Sequence, residues 1–509
     1  MAEPDDVNDG ASAGPAGPSG AVDAPVEPVW RFETATRAHP VVDAGPYFAL
    51  MRDAMMHAQQ RIMLIGWDFD TRVDLRTGRR WWNVPRKNVP PARLGPFMVW
   101  LAKRNPNLEI RVLRWNFGAV KALFRGRMVF DLIRWWFHRQ IIFKLDSAHP
   151  LGCSHHQKIV VIDDCFAACG GIDMTNGRWD TRDHLEGDPR RKGPMGGPYP
   201  PWHDCAMLME GPVARALGDY GRVRWEEAGG GAIEPCAPRD GTCWPERLKP
   251  SFEQVEIGIA RTRSQYDAAP ALREIETLFL HQIARAKRFL YIENQYFASR
   301  TIAEAIALRL VEPDPPEICI VTPLAADGWL QQAVMDAARV RLYHAVKEKD
   351  HGGRFSMWYP VNAAGTPIYV HSKLLIVDDE VLRIGSANFN NRSMGLDSEC
   401  DVFVDAARAG SEPALEKVRK LRLSLIAEHC GMTAHDVAGA LDRAGSMAAM
   451  IAAAPQGGKR LVRFVPRDLS DTERAIADSE ALDPERPEDM LNFYKKGLFR
   501  GRILRKPHT

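Results

Sequence analysis

The sequence predicts an α/β protein built from two similar lobes, each a mixed β-sheet flanked by helices, that arose by internal duplication. Three observations predict this. "HQKIVVIDDCFAACGGIDMT" from His156 and "HSKLLIVDDEVLRIGSANFN" from His371 repeat one frame of His, Lys, Asp and a glycine-centred turn. Around that frame further segments recur in the same order: "HAQQRIMLIGWDFD" with "ARAKRFLYIENQYF", "LEIRVLRWN" with "PEICIVTPL", and "DCAMLMEGPVARAL" with "ECDVFVDAARAGSEPAL". At 509 residues and 45% hydrophobic content, the chain has enough apolar material for two lobes with real cores.

Taken in order, residues 1–28 are acidic and rich in Ala, Gly and Pro, without the basic start and apolar core of a signal peptide. They hold too few large apolar groups to offset their ordering entropy, so a disordered tail is expected. Residues 29–250 form the first lobe, 251–435 the second, and 436–509 a C-terminal extension. Within each lobe an apolar strand follows a helix end, a second strand comes next, then the His-Lys-Asp segment, then an acid opening a strand that leads to a helix. The first copy carries about 20 additional residues, "RDHLEGDPRRKGPMGGPYPP", whose Gly, Pro and charges read as an inserted surface loop.

No stretch reaches the ~20 continuous apolar residues that span a bilayer, so a cytoplasmic protein with at most peripheral membrane contact is expected. Nine scattered cysteines, none paired at zinc-site spacing, read as reduced thiols. Lys plus Arg (67) nearly cancels Asp plus Glu (65), which weighs against a nucleic-acid partner. No protein partner emerges.

The duplicated frame carries the chemistry. "KIVVID" and "KLLIVD" read as short buried strands, so His156 and Lys158 project to one side, as do His371 and Lys373. A histidine beside a fixed positive charge suits a phosphate: one imidazole attacks phosphorus, a second protonates the leaving alkoxide and later deprotonates water or an alcohol. Lys158 and Lys373 hold the nonbridging oxygens, so neither a metal nor another cofactor is required. The turns at Gly171 and Ser386 let the backbone approach closely, and Asn388 can donate its amide protons to phosphate. Asp173 occupies the matching place in the first copy and cannot donate in that way. Asp204 and Glu399, at matched positions, are the candidates for fixing the imidazole tautomers. Asp163 and Asp378, the acids of the motif, lie five residues after their lysines and point to the other side of a regular strand.

These segments, with "GGIDMTNGRWDT", "PWHD", "YIENQYF" and "GSANFNNRSMGLDSE", resemble the phospholipase D superfamily, most of all the catalytic cores of eukaryotic-type phospholipases D. The resemblance covers roughly residues 45 to 430. It implies two lobes with one active site at their interface, no metal, and a covalent phosphatidylhistidine intermediate. It assigns the six residues His156, Lys158, Asp163, His371, Lys373 and Asp378 to the catalytic motifs, with His156 as nucleophile and His371 as general acid and base. The implied activity is hydrolysis of glycerophospholipids such as phosphatidylcholine to phosphatidic acid, with possible transfer to another alcohol. A cardiolipin-synthase-like transferase, a nuclease of the same superfamily and a noncatalytic lipid-binding protein are the alternatives. Two stretches, from Lys121 and from Asn492, mix basic and aromatic residues and suit a peripheral membrane surface as well as ordinary packing.

Overall fold

The computed structural model describes residues 28–75, 89–116, 127–193, 196–325, 329–468 and 483. The tail expected over 1–28 and the basic-aromatic stretch from Asn492 lie outside the described residues but for position 28, as do the first six residues of the stretch from Lys121.

The first half contributes β1 (Arg31–Val42), β2 (Arg61–Gly66), β3 (Glu109–Trp115), β4 (Ile141–Asp146), β5 (Ile159–Ile162), β6 (Phe166–Gly170), β7 (Trp202–His203) and β8 (Cys205–Glu210). The second contributes β9 (Phe252–Arg263), β10 (Leu272–Arg273), β11 (Phe289–Asn294), β12 (Glu317–Val321), β13 (Phe355–Val361), β14 (Tyr369–Val370), β15 (Lys373–Val377), β16 (Val381–Gly385), β17 (Glu399–Asp405) and β18 (Arg460–Arg463). Outward from the centre the first half runs β1-β8-β6-β5-β2-β3-β4 and the second β9-β17-β16-β15-β11-β12-β13, the same order twice. In both halves the three outer strands are parallel and the inner pairings antiparallel.

The two sheets are not separate. β1 and β9 pair antiparallel, Arg31 opposite Ile259 through Ala38 opposite Phe252, and fuse the halves into one 16-stranded sheet among the described residues. Pairing these two long strands leaves neither lobe with an open edge at the junction.

Helices cover both faces, which explains the unbroken apolar motif strands. Ile159 and Val161 of β5 face a core shared by both halves beneath the helices Pro212–Glu227 and Ala414–Cys430, while Val160 and Ile162 face a core private to the first half. β15 repeats the division, with Leu374 and Ile376 in the shared core and Leu375 and Val377 in the second half's own.

Two expectations change here. The segment after 435 does not stand apart as far as it is described: β18 extends the sheet against β13, and Val437, Met447 and Met450 join the shared core. The segment 182–201 is not simply a surface loop, because His184 (0% exposed) and Arg191 (2%) are buried. Both bond to Asp180, which balances the arginine's charge in the interior.

Candidate active site

Each motif histidine stands just before its strand and is held there by the other half. The His156 backbone N–H donates to the Ser398 carbonyl (2.8 Å), and the His371 N–H to the His203 carbonyl (2.7 Å). β7 and β14 pair in parallel beside the second contact, and His155 bridges Ser398 beside the first.

The side chains repeat this exchange. His156 Nδ1 lies 3.0 and 3.1 Å from the two carboxylate oxygens of Glu399, and His371 Nδ1 lies 2.7 Å from Asp204 Oδ2. Each acid therefore orients the histidine of the opposite half. With Nδ1 so engaged, Nε2 is the nitrogen left for chemistry, and no hydrogen bond to either Nε2 occurs among the described residues. Lys158 Nζ donates to the His156 carbonyl (2.6 Å), and Lys373 Nζ to the His371 carbonyl, so each lysine folds back under its own histidine.

Burial sets the ionisation. It holds both imidazoles well below the usual histidine range, and the charges of Lys158 and Lys373 press on both in the same direction. Burial raises Asp204 to about 6 and pushes Glu399 well above the carboxylate range. Lys373 is lowered to about 7 by the same loss of water, opposed by Asp204. Neutral imidazoles with a free Nε2 are the form that can attack phosphorus.

Gly171 and Ser386 occupy matched turns and serve different ends. A Cβ on residue 171 would lie 2.1 Å from Asp204 Oδ1, so only glycine leaves room for that carboxylate. The Ser386 hydroxyl instead donates to Glu399, and Ser393 donates to its other oxygen at 2.6 Å. Asn388 is nearly buried and its Oδ1 has no hydrogen-bond partner, whereas Asp173 forms an ion pair with Lys158 at 3.2 Å.

The structure does not bring Asp163 and Asp378 into this cluster. They sit past the far ends of β5 and β15, ~16 Å along the chain from their lysines at about 3.3 Å per residue. Both occupy tight turns with positive φ (51° and 54°), a conformation Asp tolerates. Asp163 accepts from the N–H groups of Gln59, Gln60 and Arg61, and Asp378 from those of Lys287, Arg288 and Phe289. Their work is to tie the motif turn to the start of the neighbouring strand.

Further residues complete the site. Arg178 lies over the Trp202 ring (4.1 Å) and its charge reaches His371 and Lys373. Trp202 stacks on Tyr369 (4.5 Å) and packs on His371 (5.1 Å). Trp67 meets His156 (6.2 Å) and stacks on Trp115 (5.9 Å), which meets His149 (6.3 Å). Gln295 accepts from Lys373 at 3.0 Å. From the sequence, Gln295, with Asn294 in "IENQYF", reads as lining the cleft or capping a loop, while Arg178 and Trp202 lie in "GRWDT" and "PWHD" without a role of their own.

The fold and the site thus define a duplicated α/β protein with a histidine-lysine pair from each half meeting at the junction. A family model described as Phospholipase D matches residues 346–477. The chain is 27% identical over 398 aligned positions to "Phospholipase D alpha 1" of Nicotiana tabacum, covering 55% of this chain and 49% of that protein. It is 26% identical to "Phospholipase D alpha 2" of Oryza sativa subsp. japonica, covering 75% and 63%. The chain spans about half the length of most of the curated relatives it matches. In fold it is similar to the phosphatidylserine synthase of Haemophilus influenzae, with a TM-score of 0.54 at 14% identity, covering 76% of this chain and 87% of that one. Together the family model and the curated relatives support a member of the phospholipase D superfamily.

Proposed function

We propose that this protein is a phosphodiesterase of the phospholipase D type that cleaves glycerophospholipids to phosphatidic acid and a headgroup alcohol. The observation that carries the reading is the pair of imidazoles, each backed at Nδ1 by a carboxylate and each beside a lysine. In the proposed reaction the anionic phosphate, once bound, draws a proton onto His371 Nε2 while His156 stays neutral; His156 Nε2 then attacks phosphorus, the bond to the headgroup oxygen breaks, and His371 gives that oxygen its proton. His371 then takes a proton from water or an alcohol, whose oxygen attacks phosphorus and breaks the phosphorus–nitrogen bond. Lys158, Lys373 and Arg178 stabilise the charge on the nonbridging oxygens. Because the intermediate is covalent, transfer to an alcohol follows from the same chemistry as hydrolysis.

Lipid rather than nucleic acid is favoured by the aromatic flank of the site, Trp67 with Trp115 and Trp202 with Tyr369, and by one exposed surface. The helix Arg127–Trp136 and the residues after it expose Phe130, Ile133, Trp136 and Phe137 next to the exposed Arg134 and Arg139. Apolar side chains among arginines suit the interface of an anionic membrane. No helix among the described residues is long and apolar enough to cross a bilayer, so the proposed contact is peripheral.

The test is phosphorus NMR of products from phosphatidylcholine and phosphatidylglycerol vesicles with a short primary alcohol. Phosphatidic acid together with phosphatidylalcohol is expected. Absence of both, with cleavage of a nucleic-acid phosphodiester, overturns the assignment.

A further inference from the structure

We infer that Asp43, His184, His203 and Glu428 form a site for one divalent cation of the zinc class, which ties the two halves together beside His371. Four elements converge there. Asp43 links β1 to the helix Ala44–Met56, His184 lies in the segment 182–201, His203 ends β7, and Glu428 comes from the helix Ala414–Cys430 of the second half. Their exposures are 0%, 0%, 0% and 7%.

The geometry is that of a ligand set. His184 Nε2 and His203 Nδ1 lie 3.0 and 3.1 Å from Glu428 Oε1, His203 Nδ1 lies 3.3 Å from Asp43 Oδ1, and His184 Nε2 lies 3.7 Å from Asp43 Oδ2. One ligand atom from each of the four falls within 4.8 Å of the others. A tetrahedral ion with bonds of about 2.0–2.1 Å requires ligand atoms about 3.3 Å apart, which matches these separations.

Two further features point to an ion. The outer nitrogen of each imidazole is backed by another carboxylate, His184 Nδ1 by Asp180 (3.0 Å) and His203 Nε2 by Glu293 (2.8 Å). Metal-bound histidines are oriented in this way. Independently, Asp43 Oδ2 is buried without a hydrogen-bond partner, and Asp43 is held at φ 68°, a conformation costly for a non-glycine residue. That oxygen faces His184 Nε2 at 3.7 Å, too far for a hydrogen bond, and an ion between the two would satisfy both.

Two imidazoles and two carboxylates suit zinc better than magnesium or calcium, which prefer all-oxygen shells. Four protein ligands in a closed site mark a structural ion, not a catalytic one. Its position matters because the His203 carbonyl holds the His371 N–H and Asp204 follows His203 in the chain.

The test uses the full chain, purified without chelator or metal-affinity steps, loaded with zinc chloride, passed into metal-free buffer and analysed by elemental mass spectrometry. One zinc per chain is expected, with the Glu428→Gln and His184→Asn variants retaining about tenfold less or lower still. Cobalt loading of the wild type gives a second reading that needs no variant. The visible bands of a tetrahedral nitrogen-and-oxygen site are expected, without the thiolate-to-cobalt band that binding at the nine cysteines would give. Folded wild type that retains no zinc and melts at the same temperature with and without it overturns the inference and leaves a hydrogen-bonded network only. Cobalt bound with the thiolate band overturns it as well. Neither reading depends on phospholipid turnover.

Discussion

The two half-sites share one backbone frame and differ in how their charges are compensated. Around His156, Lys158 is paired with the Asp173 carboxylate; around His371, Lys373 meets the neutral amide of Gln295, with Arg178 adding a further charge. Glu399 is held by two serine hydroxyls, whereas Asp204 is held by the Cys205 N–H (2.8 Å) in a space that only Gly171 leaves open. Duplication thus supplied two equivalent scaffolds, and small substitutions in them made one side more cationic. A reaction needing one nucleophile and one proton carrier has use for such inequality.

The largest expected effect separates the two histidines. His156→Ala and His371→Ala should each lower turnover of natural lipid by about 10⁴-fold or more, since nucleophile and proton carrier act as a unit. A substrate with a p-nitrophenolate leaving group needs no proton, so His371→Ala should accumulate a covalent adduct on His156, read by mass spectrometry. An adduct on His371 in the reciprocal variant would reverse the assignment.

Next come the crossed acids. Glu399→Gln and Asp204→Asn should each lower kcat by roughly 10²-fold or more, through the wrong imidazole tautomer. The turn residues sharpen this: Gly171→Ser crowds Asp204 and should impair the His371 side, while Ser386→Gly removes one hydrogen bond to Glu399 and should cost about 1 kcal/mol in transition-state stabilisation. Equal effects would mean that the two turns are interchangeable.

A pH profile tests the cationic side. Lys373 is charged below about 7 and neutral above it, so kcat/KM should fall as pH rises through 7, and Lys373→Arg should move that fall to higher pH. The stability sign is opposite. The folded lysine gives up its proton more readily than the unfolded one, at 10.5, so its presence costs stability as pH falls from 10.5 to 7 and no more below that. Lys373→Met should therefore raise the thermal midpoint at pH 7 while abolishing activity.

The smallest effect on chemistry is expected at Asp163 and Asp378. Replacing either by Ala strands three backbone N–H groups and should cost roughly 3 kcal/mol of stability, measured by urea unfolding. Activity per folded molecule should stay within a few-fold. A loss as large as that of His371→Ala would place these acids back in the reaction.

Much of this was legible along the chain because it depends on local order. "KIVVID" and "KLLIVD" read as buried strands from their apolar runs, and alternation along a strand separated His and Lys from the motif acid. The difference between Asn388 and Asp173 was visible at equal offsets. Trp67 and Trp115 were not, because although they lie in recurring segments they stand opposite Asn294 and Pro323 in the second copy, and Arg178 has no counterpart that the repeat marks. His184, with Trp179 and Asp180 in "GRWDTRDH", reads from the sequence equally as a residue shaping the pocket or as part of a turn, and only the structure shows it buried beside Asp180, Asp43 and Glu428.

By itself the amino-acid sequence determined the duplication, the strands, the residue types at the site and the side of each strand on which they project, since these follow from the two-residue period and from side-chain chemistry. Only the tertiary structure decided that Glu399 serves His156 and Asp204 serves His371. Pairing across a junction depends on which surfaces meet when β1 and β9 join, and no spacing within either copy encodes that meeting.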